Sequence, residues 1–292
     1  MLREGIDPTK LCSNALAQNP HDGALVLLHK LLLKNPDKFN WCGLAINSND
    51  DAMAMLQALL HELSIKTPDK FSWIELSSNT NDKAIQLLKT KPSEIAWREL
   101  SRNTSNSAVQ ILRENPNKIN WKNLSFNTND GAIAMLRENP NKINWRNLSS
   151  NSNDGAIALL LNAMKENPDK IYWPYLSFNT NDGAIAMLRE NPDKINWRNL
   201  SGNSNDGALD LLINKIKENP DFIDWSRLSS NTNDGAIQLL RENPDRINWG
   251  NLSYNTNDGA IQLLIENPNK IFWSIFSQNP AIFYDKPSYV LK

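Results

Sequence analysis

The side chains best suited to metal or nucleophilic chemistry are His21, His29, His61, Cys12 and Cys42, and all five lie within the first 61 residues. Their spacing gives no Cys/His pairs of the kind that hold zinc. Two cysteines are too few for a disulfide framework and suit a reducing compartment. A second candidate is the oxygen-rich string Asn-x-Asn-Asp-Gly, as at Asn127 to Gly131. It has the flavour of a calcium loop, but no Glu closes a twelve-residue loop behind it. Helix capping accounts for the string more simply. A carboxylate column also runs along the chain: Asp130, Asp154, Asp182, Asp206, Asp234 and Asp258. Acid–base catalysis needs two carboxyl groups in different environments, and these six are copies of one environment. No nucleophile elbow, P-loop or dinucleotide fingerprint occurs. The sequence therefore predicts no catalytic residues, no cofactor, no metal ligands and no small-molecule substrate. Asn-x-Ser sequons such as Asn123-Leu124-Ser125, and those at Asn147, Asn199 and Asn251, are products of duplication.

Because the amide and carboxylate candidates recur at a regular interval, the interval is the primary signal. The tryptophans stand at Trp41, Trp73, Trp97, Trp121, Trp145, Trp173, Trp197, Trp225, Trp249 and Trp273. Successive spacings are 24 residues, or 24 lengthened by four or eight. An eleventh, partial copy precedes the first tryptophan, with Leu16, Asn19, Gly23 and Ala24 in their columns and Ser13 in place of Trp. The predicted fold is an all-α solenoid, a superhelix of about ten tandem units of two short helices each, forming one domain over 1–292. Residues 1–12 and 280–292 are expected to cap an array spanning 13–279.

Insertions identify the first helix. Longer units expand only the stretch between Ala-Ile and Asn-Pro, as Ala156 to Pro168 compared with Ala132 to Pro140. Steps of four residues add close to whole helical turns and keep one face apolar. Asn129 and Asp130 fit an N-cap and a first-turn acid, and Pro140 stops the helix. For the second helix, two starts are open, at Pro140 or after Asn144. In the copy containing Trp173, Pro174 would fall deep inside a helix begun at Pro168, at a cost of about 3 kcal/mol. A cap at the residue before Trp leaves Pro174 in the first turn. Asn40, Ser72, Asn120, Asn144, Asn196, Asp224 and Asn248 occupy that capping column, and Ile143 with Leu148 fits a hydrophobic staple.

Neither helix buries its face alone, so stacking must supply the core. The Trp column is expected to be its largest contribution, with Trp145→Ala or Trp197→Ala costing about 3–5 kcal/mol. An unbroken column of amides, from Asn19 through Asn127 and Asn203 to Asn279, is expected to bond backbone groups at the bend between helices.

These columns resemble the short Trp-x-x-Leu-Ser-x-Asn and Asn-Pro-x-Lys-Ile repeats found in multi-copy proteins of large double-stranded DNA viruses. The resemblance runs from about Leu11 to Tyr284 and includes a closing segment, Phe276 to Phe283. The period is also similar to that of leucine-rich-variant repeats, which implies alternating α and 3-10 helices. The viral resemblance implies a repeat protein of a virus and supplies no site. Asp130-Gly131 and its equivalents stand where that family has other small or polar residues.

Columns that vary while their neighbours stay fixed are candidates for recognition. One precedes the constant Asn: Ile46, Ser78, Arg102, Phe126, Ser150, Phe178, Gly202, Ser230, Tyr254 and Gln278. A second follows Trp and includes Ile74, Arg98, Lys122, Arg146, Pro174 and Arg198. Phe126, Phe178 and Tyr254, with Arg102, Arg146 and Arg198, are the candidate partner-binding residues. They either form exposed knobs suited to a protein interface or plug gaps at the bend. Cations recur at Lys38, Lys70, Lys118, Lys142, Lys170, Lys194, Arg246 and Lys270, which could track a phosphate backbone. Against that, Lys+Arg total 31 and Asp+Glu 32, without the basic excess usual for nucleic-acid binders. The leading expectation is a non-enzymatic scaffold for a protein partner, viral and cytoplasmic or carried in a particle. The alternative is a nucleic-acid-binding solenoid. The start of the chain has no apolar leader, and its apolar runs are too short to span a membrane.

Overall fold

A computed structural model describes residues 6, 10–32, 41–57 and 72–283. His61, Lys38, Lys70, Asn40 and most of both expected caps lie outside the described residues, as do the side chains of His29 and Trp41. Within the described part the chain is helical throughout, in units repeated along its length.

One unit illustrates all. A Trp helix, Trp121–Leu124, is followed by a core helix, Asp130–Glu138, and then by a 3-10 turn, Pro140–Lys142. The Asn129 side chain accepts from the Gly131 N–H at the start of the core helix, and Asn120 accepts from the Asn123 N–H at the start of the Trp helix. Both starts weighed for the second helix are in use. Pro140 opens the 3-10 turn, where its fixed φ and missing N–H are no handicap, and Asn144 caps the next Trp helix. Four-residue insertions lengthen only the core helix: Asp154–Glu166 and Asp206–Glu218 extend one turn beyond Asp182–Glu190.

Leu124, Ala132, Ile133, Leu136 and Ile143, with their equivalents, form one continuous apolar core running from Ile6 to Phe283. The tryptophans differ from expectation. From Trp73 to Trp273 they are half-buried and pack against the outside of this core. An indole is too large for the tight stacking of four-residue helices, so the aliphatic Leu and Ala columns occupy the centre and the indoles roof it. Glycine stands at the second position of most core helices, with Lys83 and Ser107 in its place in two of them. A Cβ at Gly131 would lie 2.9 Å from Val109 Cγ1 of the preceding unit, a separation packed atoms do not tolerate.

Three polar columns tie each unit to the one before. Asn127 is fully buried, and its Nδ2 donates to the carbonyls of Ser101 and Asn103 at 3.1 and 2.8 Å. Ser101 Oγ donates to the Trp97 carbonyl and accepts the Asn120 N–H. Asn153, the cap of its own core helix, donates to Asp130 Oδ1 at 2.7 Å. The carboxylate column therefore holds consecutive units together.

The array does not run on as an open rod; its last unit docks on its first. Asn19 Nδ2 donates to the Asn279 carbonyl at 3.2 Å, and Asn47 donates in turn to the Asn19 carbonyl. The Cys12 N–H donates to Ser277 Oγ at 3.0 Å, as Asn120 does to Ser101. Lys10 stands over the Trp273 ring at 5.1 Å, as Lys170 stands over Trp145 at 4.7 Å. At the end of the array the 3-10 turn Pro280–Ile282 replaces the core helix. Phe283 then fills the place of the branched aliphatic residue, facing Gly23 and stacking on His21 at 4.9 Å. The seam repeats the Asn, Ser and cation–ring contacts of an internal junction, with Asn19 reaching one carbonyl and with His21 and Ile282 in the places of the Asn–Asp pair, so the eleven units form a closed ring with a circle of eleven buried asparagines.

Candidate interaction face

The residues sequence reasoning singled out lie on the Trp helices and on the bends that follow them. Here the structure brings side chains of different units together above the wall of the ring. Arg102 stacks on the Phe126 ring at 5.0 Å, and Phe126 lies 6.4 Å from Tyr175. These two rings belong to units that are not neighbours; they meet because the unit between them carries only Ser150 at this column. Arg146 lies over Tyr172 at 4.3 Å and over Tyr175 at 5.1 Å, and the two tyrosines meet edge to face. The result is one cluster of Arg102, Phe126, Arg146, Tyr172 and Tyr175.

The same bridging recurs further along. Phe178 reaches across Gly202 to Arg227, whose guanidinium stands 4.9 Å from the ring. Phe178 is nonetheless 39% exposed and Tyr254 is 52% exposed. Tyr254 donates its hydroxyl to Gln278 Oε1 at 2.7 Å. Arg198 extends into solvent and approaches Asp224 at 3.6 Å, which Arg227 shares at 3.5 Å. The alternatives left open by the sequence therefore divide. Phe178 and Tyr254 are exposed knobs, while Phe126 is half-buried under its guanidinium. Tyr172 and Tyr175 were missed because they stand in columns given mostly to polar residues, Asn144 and Asn147 in the preceding unit. Their departure from the column was the available signal.

No protein family, curated protein or solved structure matches the chain. Its chemistry must be read from geometry. Among the described residues no three His, Cys, Asp or Glu side chains stand together as metal ligands, and none of their helices is long and apolar enough to cross a membrane. The recurrent cations are engaged where the structure places them on rings. Lys170 lies over Trp145 and Arg246 over Trp225 at 6.0 Å. Where Phe222 replaces the cation, Lys215 from the lengthened core helix covers Trp197 at 5.2 Å. Such pairs contribute about 0.5–1 kcal/mol each at exposed sites.

Two carboxyl groups are held below their ordinary range. For Asp50 the first cause is the Asn81 amide, donating at 2.7 Å, and Lys83 adds to it at 3.3 Å. For Glu266 the causes are the Gln262 amide first and Arg241 second. Both carboxyls accept bonds in their charged form, which favours that form. They strengthen contacts within and between units.

Proposed function

We propose that this chain is a non-enzymatic scaffold, a ring that docks protein partners on the edge formed by its Trp helices and their bends. One observation carries the reading. At the column before the constant asparagine, Ser78, Ser150, Gly202 and Ser230 serve the fold as well as Arg102, Phe126, Phe178 and Tyr254 do. Packing does not ask for large side chains there, yet aromatic and guanidinium groups gather in it. These are the side chains that dominate protein interfaces. The balanced net charge, 31 Lys+Arg against 32 Asp+Glu, favours this over binding along a phosphate backbone.

The resemblance to tandem-repeat proteins of large DNA viruses leads us to place the ring in an infected cell's cytoplasm, as a host-directed adaptor or as a component of the particle. Fractionation of purified particles separates those two roles. The docking edge is tested by comparing proteins captured from such cells by the tagged chain, by Phe178→Glu/Tyr254→Glu, and by Gln238→Glu on the core-helix side. Capture should persist with the last variant and be lost with the double variant. Capture indifferent to the edge substitutions refutes the assignment.

A further inference from the structure

The edge is electrically uneven. From Arg102 to Arg198, the residue before each Trp, the two after it and the residue before the constant Asn include Arg102, Lys122, Arg146 and Arg198 but no carboxylate. Arg198 is matched by Asp224 beyond the end of this stretch. Among the described residues, Arg102, Lys122 and Arg146 lie within ion-pair distance of no carboxylate, and all three are exposed. Beside them a hollow of about 320 Å³ is lined by Ser78, Arg98, Glu99, Arg102, Asn103 and Asn123. From Ser230 round through the seam to Ile74 the same columns carry no charge at all.

Resting on the docking edge proposed above, we infer that the arc Arg102–Lys122–Arg146 binds an acidic, extended segment of a protein partner. The aromatic rings beneath the guanidinium groups decide the class of ligand. A nucleic-acid platform needs free ring faces for base stacking. Here Arg102 covers Phe126, and Arg146 covers Tyr172 and Tyr175. A guanidinium laid flat on a ring keeps its N–H edge free and held in orientation, which suits a carboxylate fork. Neighbouring helices pack about 8–10 Å apart, and a chain in the extended polyproline-II form advances about 3.1 Å per residue with three residues per turn, so every third side chain faces the same way. Acidic residues at every third position of the partner therefore match successive units of the arc.

The probe is a fluorescein-labelled peptide with Glu at every third position and Ser and Pro between, followed by anisotropy. Its Gln counterpart and an oligothymidylate are run beside it. The Glu peptide should bind, the Gln peptide should not, and Arg102→Gln/Arg146→Gln should weaken binding about tenfold or more through loss of two charge-assisted contacts. Arg137→Gln, an exposed change on a core helix, should leave it unaltered. Equal binding of both peptides, or indifference to the double variant, overturns the inference. So does oligothymidylate binding more tightly than the Glu peptide and lost in that variant. Because the capture experiment uses Phe178 and Tyr254, a positive capture with a negative peptide result leaves the docking edge standing and removes the acidic ligand.

Discussion

Asn151 offers the sharpest test of what holds the ring together, because a neighbouring asparagine makes as many bonds in a different setting. Asn151 is 1% exposed. Its Nδ2 donates to the carbonyls of Ser125 and Asn127 at 3.1 and 2.9 Å, and its Oδ1 accepts the Asn153 N–H at 3.0 Å. Asn153 also makes three bonds, to the Thr128 carbonyl, Asp130 Oδ1 and the Gly155 N–H, but near solvent. Asn151→Ala orphans two carbonyls and one N–H in the interior, at about 1 kcal/mol or more for each. One water admitted to the vacated space has three polar partners and recovers part of the loss. The expected destabilisation is about 2–3 kcal/mol, a large share of the roughly 5–15 kcal/mol that holds a domain folded. Asn153→Ala loses a cap whose partners water replaces, at about 1 kcal/mol. Urea denaturation followed by tryptophan fluorescence and circular dichroism measures both. Asn151→Asp should be worse than Ala at neutral pH, because a carboxylate then faces two carbonyl oxygens. That setting raises its pKa above the unfolded value, so the variant should regain stability as pH falls and lose it as pH rises through the folded value. If Asn151→Ala proves no costlier than Asn153→Ala, burial of the asparagine circle is not what stabilises the ring.

Half-burial of the indoles lowers the cost expected for Trp145→Ala to about 2–3 kcal/mol, below that for a full core aromatic, as read from the thermal midpoint. Gly131→Ala sets a Cβ against Val109 and should cost about 1–3 kcal/mol, with a double-mutant cycle showing Val109→Ala relieving part of it. The Glu266 carboxyl, bonded first by Gln262, contributes stability above its unfolded pKa that is lost as pH falls through the folded value. Gln262→Ala should move its titration, followed by NMR, upward toward the ordinary carboxylate range. Joining the chain ends by a flexible linker and reopening the chain beside Pro140 should leave a ring of unchanged small-angle scattering, because the seam matches an internal junction. An elongated profile would show the seam to be the weaker contact.

The unit was legible in the sequence for local reasons. A proline, an Asx cap and an insertion of whole turns each constrain a few consecutive residues, and Asn129, Pro140 and the lengthened helix after Asp154 behave as those constraints require. The asparagine column was legible as a bonding group, but not its partners, which belong to the preceding unit. The placement of tryptophan was misjudged because hydrophobic weight alone does not say which side of a four-residue helix faces the stack. The candidate site was legible in part. Variation at two columns pointed to Arg102, Arg146, Phe178 and Tyr254, while the bridging over Ser150 and Gly202 depends on reach between units that are not neighbours.

Closure was hidden for a quantitative reason. Eleven units must share one full turn, about 33° each, and an error of about 3° per unit accumulates over the array to the width of one whole unit. Burial patterns fix which side chains face inward and leave rotations of that size free. Yet the ends carry the evidence in another form. Lys10 and Cys12 keep the places of the recurrent cation and of the residue before Trp, although Trp itself has become Ser13. In a ring both have a partner, Trp273 for one and Ser277 for the other. Ile282 and Phe283 are buried, at 0 and 4% exposure, with Phe283 against Gly23 and His21 of the first unit. Contact residues kept at Lys10, Cys12 and Asn19 and met across the seam by Trp273, Ser277 and Asn279 are therefore the mark of a ring.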